Sequence, residues 1–264
     1  FLKGAMILTI AGVIVKIIGA FSKVLVARIL GGEGIGLYMM AYPIYQIIVS
    51  ISAAGIPVAI SIMIAEKLAN RDMRGVQQVF NVSLRVLTLV GIIFSVGLYA
   101  SAEWLIKWNI ITDPRALIPI QLLSPAIIVV TILSCFRGYF QGFQYMVPTG
   151  TSQVFEQIFR VGSMVGLAYY FIDSGLHLAA GGATFATFPG VLAGLIVLVY
   201  FYRSQRSLRQ QMLSEQNEEA TIERTSAVIK RLFALAIPVS MANIMLPMVS
   251  LIDTFIVPKR LMDI

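Results

Sequence analysis

Charged residues are scarce in this sequence. They make up 12% of its 264 residues, whereas a soluble domain averages about 25%. Hydrophobic residues make up 58%, and the mean hydropathy is +0.86. This balance excludes an ordinary soluble domain and predicts a protein that lies in a membrane.

Cysteine and histidine are almost absent, with one residue of each, Cys135 and His177. A single cysteine excludes an intramolecular disulfide, and the sequence contains neither ligands with metal-site spacing nor a phosphate loop of the GxxxxGK kind. We therefore expect no metal, no cofactor and no enzymatic activity. The net charge is +7, but no basic run alternates with aromatic residues, which argues against a nucleic-acid partner.

Long apolar runs, in contrast, are abundant. A membrane span needs about 20 mostly apolar residues, and the alternating pattern of a membrane barrel is absent, so the spans should all be helices. The sequence thus predicts an all-α, polytopic membrane helix bundle with about seven transmembrane helices. Their predicted positions are 4–30, 37–65, 76–101, 116–141, 148–172, 176–202 and 231–257.

Basic residues are distributed unevenly among the connectors. If the amino terminus is cytoplasmic, ten Lys and Arg residues lie on the cytoplasmic side and five lie outside. The positive-inside bias favours this orientation in a bacterial cytoplasmic membrane. Residues 203–230 then form a cytoplasmic linker between a first helical lobe, 1–202, and a further helix, 231–264. Because the sequence opens without Met and stops just beyond an apolar run, we expect it to be part of a longer chain.

Two kinds of breaker interrupt the apolar runs. The connector "GGEGIG", residues 31–36, predicts a tight outer turn. Prolines within the predicted spans predict kinked or broken helices with freed backbone carbonyls. They occur in "GIPVAIS" at 55–61, "SPA" at 124–126, "FPG" at 188–190, "IPVS" at 237–240 and "LPM" at 246–248.

Several cations lie where the membrane makes them costly. A charge inside a span costs about 2.5–3.5 kcal/mol on insertion scales, so it requires water or a partner. At about 1.5 Å of rise per residue, Lys16, Arg85 and Arg160 lie about 18, 14 and 18 Å from the cytoplasmic ends of their spans. Lys23 follows Lys16 by seven residues and shares its helix face. These four cations are the predicted substrate-binding residues of a water-filled cavity near the midplane.

A polar stripe runs along span five from Thr149 to Ser163. It contains Glu156 and Arg160, an i, i+4 pair of opposite sign. The stripe either packs inside the bundle, with Arg160 neutralised by Glu156, or lines the cavity. Arg137 is only about 8 Å from the cytoplasmic end of span four, where its side chain can reach the interface, and is the weakest candidate for the cavity.

An excess of cations near the midplane suits an anionic substrate group such as a phosphate or pyrophosphate. Two alternatives stay open. One is ion-coupled multidrug efflux, in which Glu156 and Asp253, the two acidic residues within the predicted spans, would be the coupling carboxylates. The other is a non-transporting scaffold that recruits cell-wall synthases through the linker.

Three stretches carry a family resemblance. They are "ARILGGEGIGLYMMAYPIYQIIVSISAAGIPVAISIMIAE", "FRGYFQGFQYMVPTGTSQVFEQIFRV" and "LAIPVSMANIMLPMVSLIDTFIVPKRL". Through them the sequence resembles the stage V sporulation protein B branch of the polysaccharide biosynthesis flippases. That branch belongs to the multidrug/oligosaccharidyl-lipid/polysaccharide exporter superfamily and is similar to the MviN-type lipid II flippases.

The resemblance implies two helical lobes around a central cavity, alternating access, and export of undecaprenyl-pyrophosphate-linked cell-wall precursors. The sequence would hold the N-terminal lobe and the first helix of the second. In the MviN-type relatives cations of the first helices are thought to receive the pyrophosphate, and the corresponding region here offers Lys16, Lys23 and Arg28. The implied partners are a lipid-linked oligosaccharide or lipid II, and the surrounding membrane lipids.

Overall fold

The computed structural model describes residues 2–108, 111, 113–214 and 223–262, and for residues 2, 251 and 253–262 it describes the backbone alone. Within these ranges the chain is helical and forms no strand. The helices are α1 (Leu2–Ser52), α2 (Ile56–Ala69), α3 (Met73–Lys107), α4 (Leu117–Gly142), α5 (Val147–Phe171), α6 (Leu176–Phe185), α7 (Thr187–Ser204), α8 (Arg206–Ser214) and α9 (Thr225–Met262).

The predicted all-α membrane helix bundle is confirmed. Among the described residues, five segments are long and apolar enough to cross a membrane: Lys3–Ala69, Met73–Lys107, Pro114–Gly142, Leu176–Ser204 and Thr225–Ser250. The first of these has 67 residues and contains two of the predicted spans. The predicted fifth span, α5, is not among the five segments, because its polar stripe lowers its hydropathy.

Helix α1 is a helical hairpin that turns at Gly31. A straight helix of its 51 residues would be about 77 Å long at 1.5 Å per residue, well over twice the hydrocarbon thickness of about 30 Å. At Gly31 the backbone has φ 66° and ψ −174°, a region that essentially only glycine adopts. The turn predicted for residues 31–36 is therefore present, but it is confined to Gly31, and residues 32–36 already belong to the returning half.

Two of the predicted spans are broken helices. The second span is interrupted at residues 53–55, and Pro57 lies in the first turn of α2, where its missing N–H has no helical partner to lose. The sixth span is interrupted at Ala186, three residues before Pro189. Each of these two breaks lies a few residues before its proline, whereas α4 continues through Pro125 and α9 through Pro238 and Pro247, so the prediction is confirmed at two of the five proline motifs.

At one end of the bundle, ion pairs join α9 to the turn between α2 and α3. Lys67 Nζ lies 2.7 Å from Glu223 and 3.2 Å from Asp72, and Arg231 pairs with Glu66. Helix α9 begins at Thr225 rather than at residue 231 as predicted. Its first turns pack against α2 and α3 through three buried side chains, those of Val228, Leu232 and Ala236.

At the opposite end, Arg115 joins the α3–α4 connector to the turn of α1. Its guanidinium lies 2.6 Å from Glu33 and 2.7 Å from Asp113. The hydrogen bonds from Arg115 lower the pKa of the Asp113 carboxyl, because they stabilise its charged form.

Two glycines of α7 let that helix approach the polar stripe of α5. A Cβ atom on Gly190 would lie 2.6 Å from Arg160 Cβ and 3.0 Å from the carbonyl oxygen of Glu156. A Cβ atom on Gly194 would lie 3.1 Å from the carbonyl oxygen of Ser152. The glycines therefore set the spacing of α5 and α7, and with it the positions of Glu156 and Arg160.

Replacing Gly190 by alanine should destabilise the protein by about 1–3 kcal/mol, the usual cost of overpacking a filled interior. The new methyl group meets a Cβ and backbone atoms, which cannot move aside as a flexible side-chain end can. Thermal unfolding of the detergent-solubilised protein measures the effect. Gly162→Ala is the matched control, since a Cβ at Gly162 on α5 meets nothing within 4 Å; equal melting temperatures for the two variants would contradict the packing account.

Candidate anion-binding cavity

A cavity of about 640 Å³ lies between α1, α5 and α9. Both halves of α1 contribute to its wall, over residues 16–26 before the Gly31 turn and residues 35–46 after it. Helix α5 contributes residues from 157 to 164, and α9 closes one side with residues 246, 247 and 250. The hairpin of α1 therefore runs along the cavity twice.

Three of the four predicted cations, Lys16, Lys23 and Arg160, line this cavity. The seven-residue spacing of Lys16 and Lys23 places them about two turns apart on one face of α1. Arg160 reaches the same cavity from α5. Side chains from two helices far apart in sequence thus bring three positive charges to one space.

None of these three cations has an acidic side chain within 4 Å in the part of the chain that the structure describes. Arg160 instead donates a hydrogen bond to the neutral side chain of Gln157. Gln157 is buried at the crossing of α5 and α1, where a Cβ on Gly19 would lie 3.2 Å from its amide nitrogen. Among the described residues, no ion pair compensates these three charges.

Aromatic and amide groups of the returning half of α1 also line the cavity. The rings of Tyr38 and Tyr42 stack with their centroids 5.4 Å apart, as their i, i+4 spacing allows. Gln46 continues the same helix face one turn further along and also lines the cavity. Hydroxyl and amide groups beside cations can bind a polar group that is both anionic and rich in hydroxyls.

Arg137 turns its side chain toward α5 and forms an ion pair there. Its Nη2 atom is 2.7 Å from Glu156 Oε2, and each of the two side chains is 17% exposed. Its Nε and Nη2 atoms are each 3.4 Å from Ser152 Oγ. Its guanidinium is therefore held by Glu156 of α5, and Arg137, the weakest of the predicted candidates, does not line the 640 Å³ cavity.

The same ion pair changes the interpretation of Glu156. Its carboxylate pairs with Arg137 of α4, and not with Arg160 as the i, i+4 spacing had suggested. A second cavity, of about 290 Å³, is lined by Arg137, Glu156 and Arg160 together. Arg160 thus lies on the wall between the two cavities.

The remaining predicted site residues lie elsewhere. Arg85 is exposed on α3 and lines neither cavity, so the structure does not bring it together with the other three cations. Arg28 is likewise exposed and outside both cavities. The side chain of Asp253 lies outside the described residues.

Comparison with known proteins identifies the family. A family model described as polysaccharide biosynthesis protein matches residues 1–263. The chain belongs to the polysaccharide biosynthesis protein family. The resemblance seen in the sequence is thereby confirmed.

Among curated members, the chain is 34% identical to stage V sporulation protein B of Bacillus subtilis over 209 residues, which cover 79% of this chain and 40% of that protein. It is 27% identical to the lipid II flippase MurJ of the same bacterium, over 99% of this chain and 50% of that protein. The chain thus spans about half the length of the curated relatives it matches.

Solved structures show the same fold. A MOP superfamily transporter from Pyrococcus furiosus superposes with a TM-score of 0.72 at 16% identity, over 91% of this chain and 52% of that chain. A MATE protein crystallised with MaD3S gives a TM-score of 0.71 at 17% identity, over 91% of this chain and 53% of that chain. The helical arrangement of this polysaccharide biosynthesis protein is therefore that of MOP superfamily transporters.

Proposed function

We propose that the chain forms the N-terminal lobe of a transporter that moves an undecaprenyl-pyrophosphate-linked cell-wall saccharide precursor across the bacterial cytoplasmic membrane by alternating access. The observation that carries the proposal is the set of three cations, Lys16, Lys23 and Arg160, which face one cavity without an acidic partner among the described residues. Charges at this depth are costly unless a ligand or water compensates them. A pyrophosphate supplies the compensating negative charge.

The surroundings of the three cations suit the other parts of such a substrate. The hydroxyl and amide groups of Tyr38, Tyr42 and Gln46 can hydrogen-bond to saccharide hydroxyls. Beside the cavity, α1 and α9 expose large apolar side chains, such as Phe21 at 66% and Met245 at 70%. These faces can accommodate a lipid tail or a second lobe, while the head group lies between the cations.

The proposed orientation has the amino terminus in the cytoplasm. Ion pairs from Lys67 and Arg231 bring the α2–α3 turn and the start of α9 to one end of the bundle, and the basic connectors predicted to be cytoplasmic include both segments. The Gly31 turn and the Arg115 ion pairs mark the opposite end. The positive-inside bias supports placing the first of these ends in the cytoplasm.

The structure gives less support to ion-coupled efflux of organic cations. That function would need an available carboxylate inside the bundle, and of the two candidates the one whose side chain the structure describes, Glu156, is occupied by Arg137. Likeness to multidrug transporters at 16–18% identity concerns the fold alone. Under the proposed function, Asp253→Asn should leave tolerance to cationic dyes unchanged in cells that express the full chain, whereas an efflux transporter coupled through Asp253 would lose that tolerance.

A leaflet-accessibility assay tests the proposal. The full chain is reconstituted into vesicles that carry a fluorescent lipid-linked peptidoglycan precursor, and the fraction that an external reagent can modify is followed with time. We expect the accessible fraction to rise above that of empty vesicles. Deleting residues 210–222 should leave this activity largely intact, whereas a scaffold that recruits synthases would show no activity in the assay with either form.

A further inference from the structure

The ion pair between Arg137 and Glu156 lies one helical turn from Arg160, the cation that α5 contributes to the large cavity. Glu156 and Arg160 are four residues apart on α5, a spacing at which oppositely charged side chains meet on a helix surface. Arg137 approaches the same carboxylate from α4 and holds it at 2.7 Å. Two guanidinium groups thus compete for one carboxylate, and Arg137 is the one bound.

The packing around Arg160 favours this outcome. The backbone of α7 packs closely against Arg160 at Gly190, since a Cβ atom on Gly190 would lie 2.6 Å from Arg160 Cβ. The Arg160 guanidinium donates a hydrogen bond to the neutral side chain of Gln157, which lies one turn earlier on α5. Ser152 Oγ gives Arg137 a further polar contact, at 3.4 Å, which helps to hold Arg137 at Glu156.

We propose that Arg137 is a positioning residue: by holding the Glu156 carboxylate, it leaves the charge of Arg160 available to the anionic head group. Arg137 itself does not line the large cavity, so its effect on the substrate passes through Glu156. This inference rests on the function proposed above. It adds a residue on α4, outside the large cavity, on which binding depends.

The proposal follows from what happens to Glu156 when Arg137 is removed. A carboxylate left without a partner inside a bundle is costly, and Arg160 is the nearest cation on its own helix face. Glu156 then pairs with Arg160, and the cavity loses one of its three positive charges. Removing Glu156 as well leaves Arg160 free again, so the double variant should recover binding.

The experiment compares Arg137→Gln, Glu156→Gln, the double variant and Arg160→Gln in the detergent-solubilised full chain. Binding of farnesyl pyrophosphate, a soluble prenyl pyrophosphate, is measured by calorimetry. We expect the affinity of Arg137→Gln to fall about tenfold, as for loss of one charge-assisted contact, and that of Arg160→Gln to fall as much. Glu156→Gln should bind as well as the unmodified protein or more tightly, and the double variant should return to within about twofold of it.

The outcomes separate this inference from the proposed function. If Arg160→Gln weakens binding but Arg137→Gln does not, the positioning role is overturned while the cation cavity stands. If the double variant binds about tenfold more weakly than the unmodified protein, the pair has a merely structural role. This comparison does not require that Arg137→Gln alone folds. If Arg160→Gln and Lys16→Ala both bind normally, the proposed function is overturned, and the positioning role with it.

Discussion

Replacing Lys16 and Lys23 together by alanine should lower the initial rate of precursor transport about 100-fold. A hydrogen bond to a charged group contributes about 1.5–3 kcal/mol, and each 1.4 kcal/mol corresponds to about a tenfold change. The two lysines lie on one face of α1 and line the same cavity, so both contacts with the head group are lost at once. The leaflet-accessibility assay measures the change.

Arg28→Ala is the matched control for the lysine variant. Arg28 is a cation of the same helix, but it lines neither cavity, so its loss should change the rate by less than about twofold, as expected for surface charges. Replacing both lysines by arginine should retain most of the activity, because the charge is kept. If the double alanine variant transports at the same rate as Arg28→Ala, the two lysines are not part of the substrate-binding site.

Replacing Gly55 by valine should abolish transport by displacing α9. A Cβ atom at this position would lie 2.1 Å from the carbonyl oxygen of Ala236, and 2.7 Å from Ser240 Oγ. The backbone of α9 must therefore move away, and Ser240 Oγ no longer accepts the 3.1 Å hydrogen bond from the Gly55 N–H. Because α9 also closes one side of the cavity through residues 246–250, the cavity wall moves with it.

Two further variants isolate the cause of the Gly55 effect. Ser240→Ala removes the hydrogen bond alone and should cost only about 1 kcal/mol of stability. Gly36→Ala adds a methyl group where nothing lies within 4 Å and should have little effect on transport. The account of α9 fails if Gly55→Val transports as well as Gly36→Ala.

The helical bundle could be predicted from the sequence because apolar run length alone decides it. The turn at Gly31 and the breaks before Pro57 and Pro189 could also be predicted, since glycine and proline act on the local backbone. The start of α9 at Thr225, six residues before the predicted span, could not be predicted in this way. It depends on ion pairs and apolar contacts with α2 and α3 that no local pattern reports.

Only part of the candidate site could be predicted from the sequence. Lys16 and Arg160 were identified by their depth, which follows from helix rise, and Lys23 by the helix face that it shares with Lys16. Depth does not say which way a side chain faces relative to another helix, and for this reason Arg85 was grouped with them although it lines neither cavity. Spacing likewise paired Glu156 with Arg160, because Arg137 belongs to another helix and its approach depends on tertiary packing.

The aromatic and amide part of the cavity was missed altogether. Tyr38, Tyr42 and Gln46 recur at intervals of four residues, a signal that was present in the sequence but that also describes an ordinary packed face. Only the fold of α1 back upon itself shows that this face is turned toward Lys16 and Lys23.

Site-directed thiol labelling tests the central claim, that Lys16 and Lys23 face an aqueous, anion-binding cavity. The native Cys135 is buried, so Lys16→Cys and Lys23→Cys can be labelled with a charged, membrane-impermeant reagent after Cys135→Ala, with Leu89→Cys on the exposed face of α3 as the control. We predict that the two cavity positions react, that a prenyl pyrophosphate slows their reaction, and that the control position reacts far more slowly. Reaction of Leu89→Cys at the same rate, or no protection of the cavity positions by the pyrophosphate, would contradict the account.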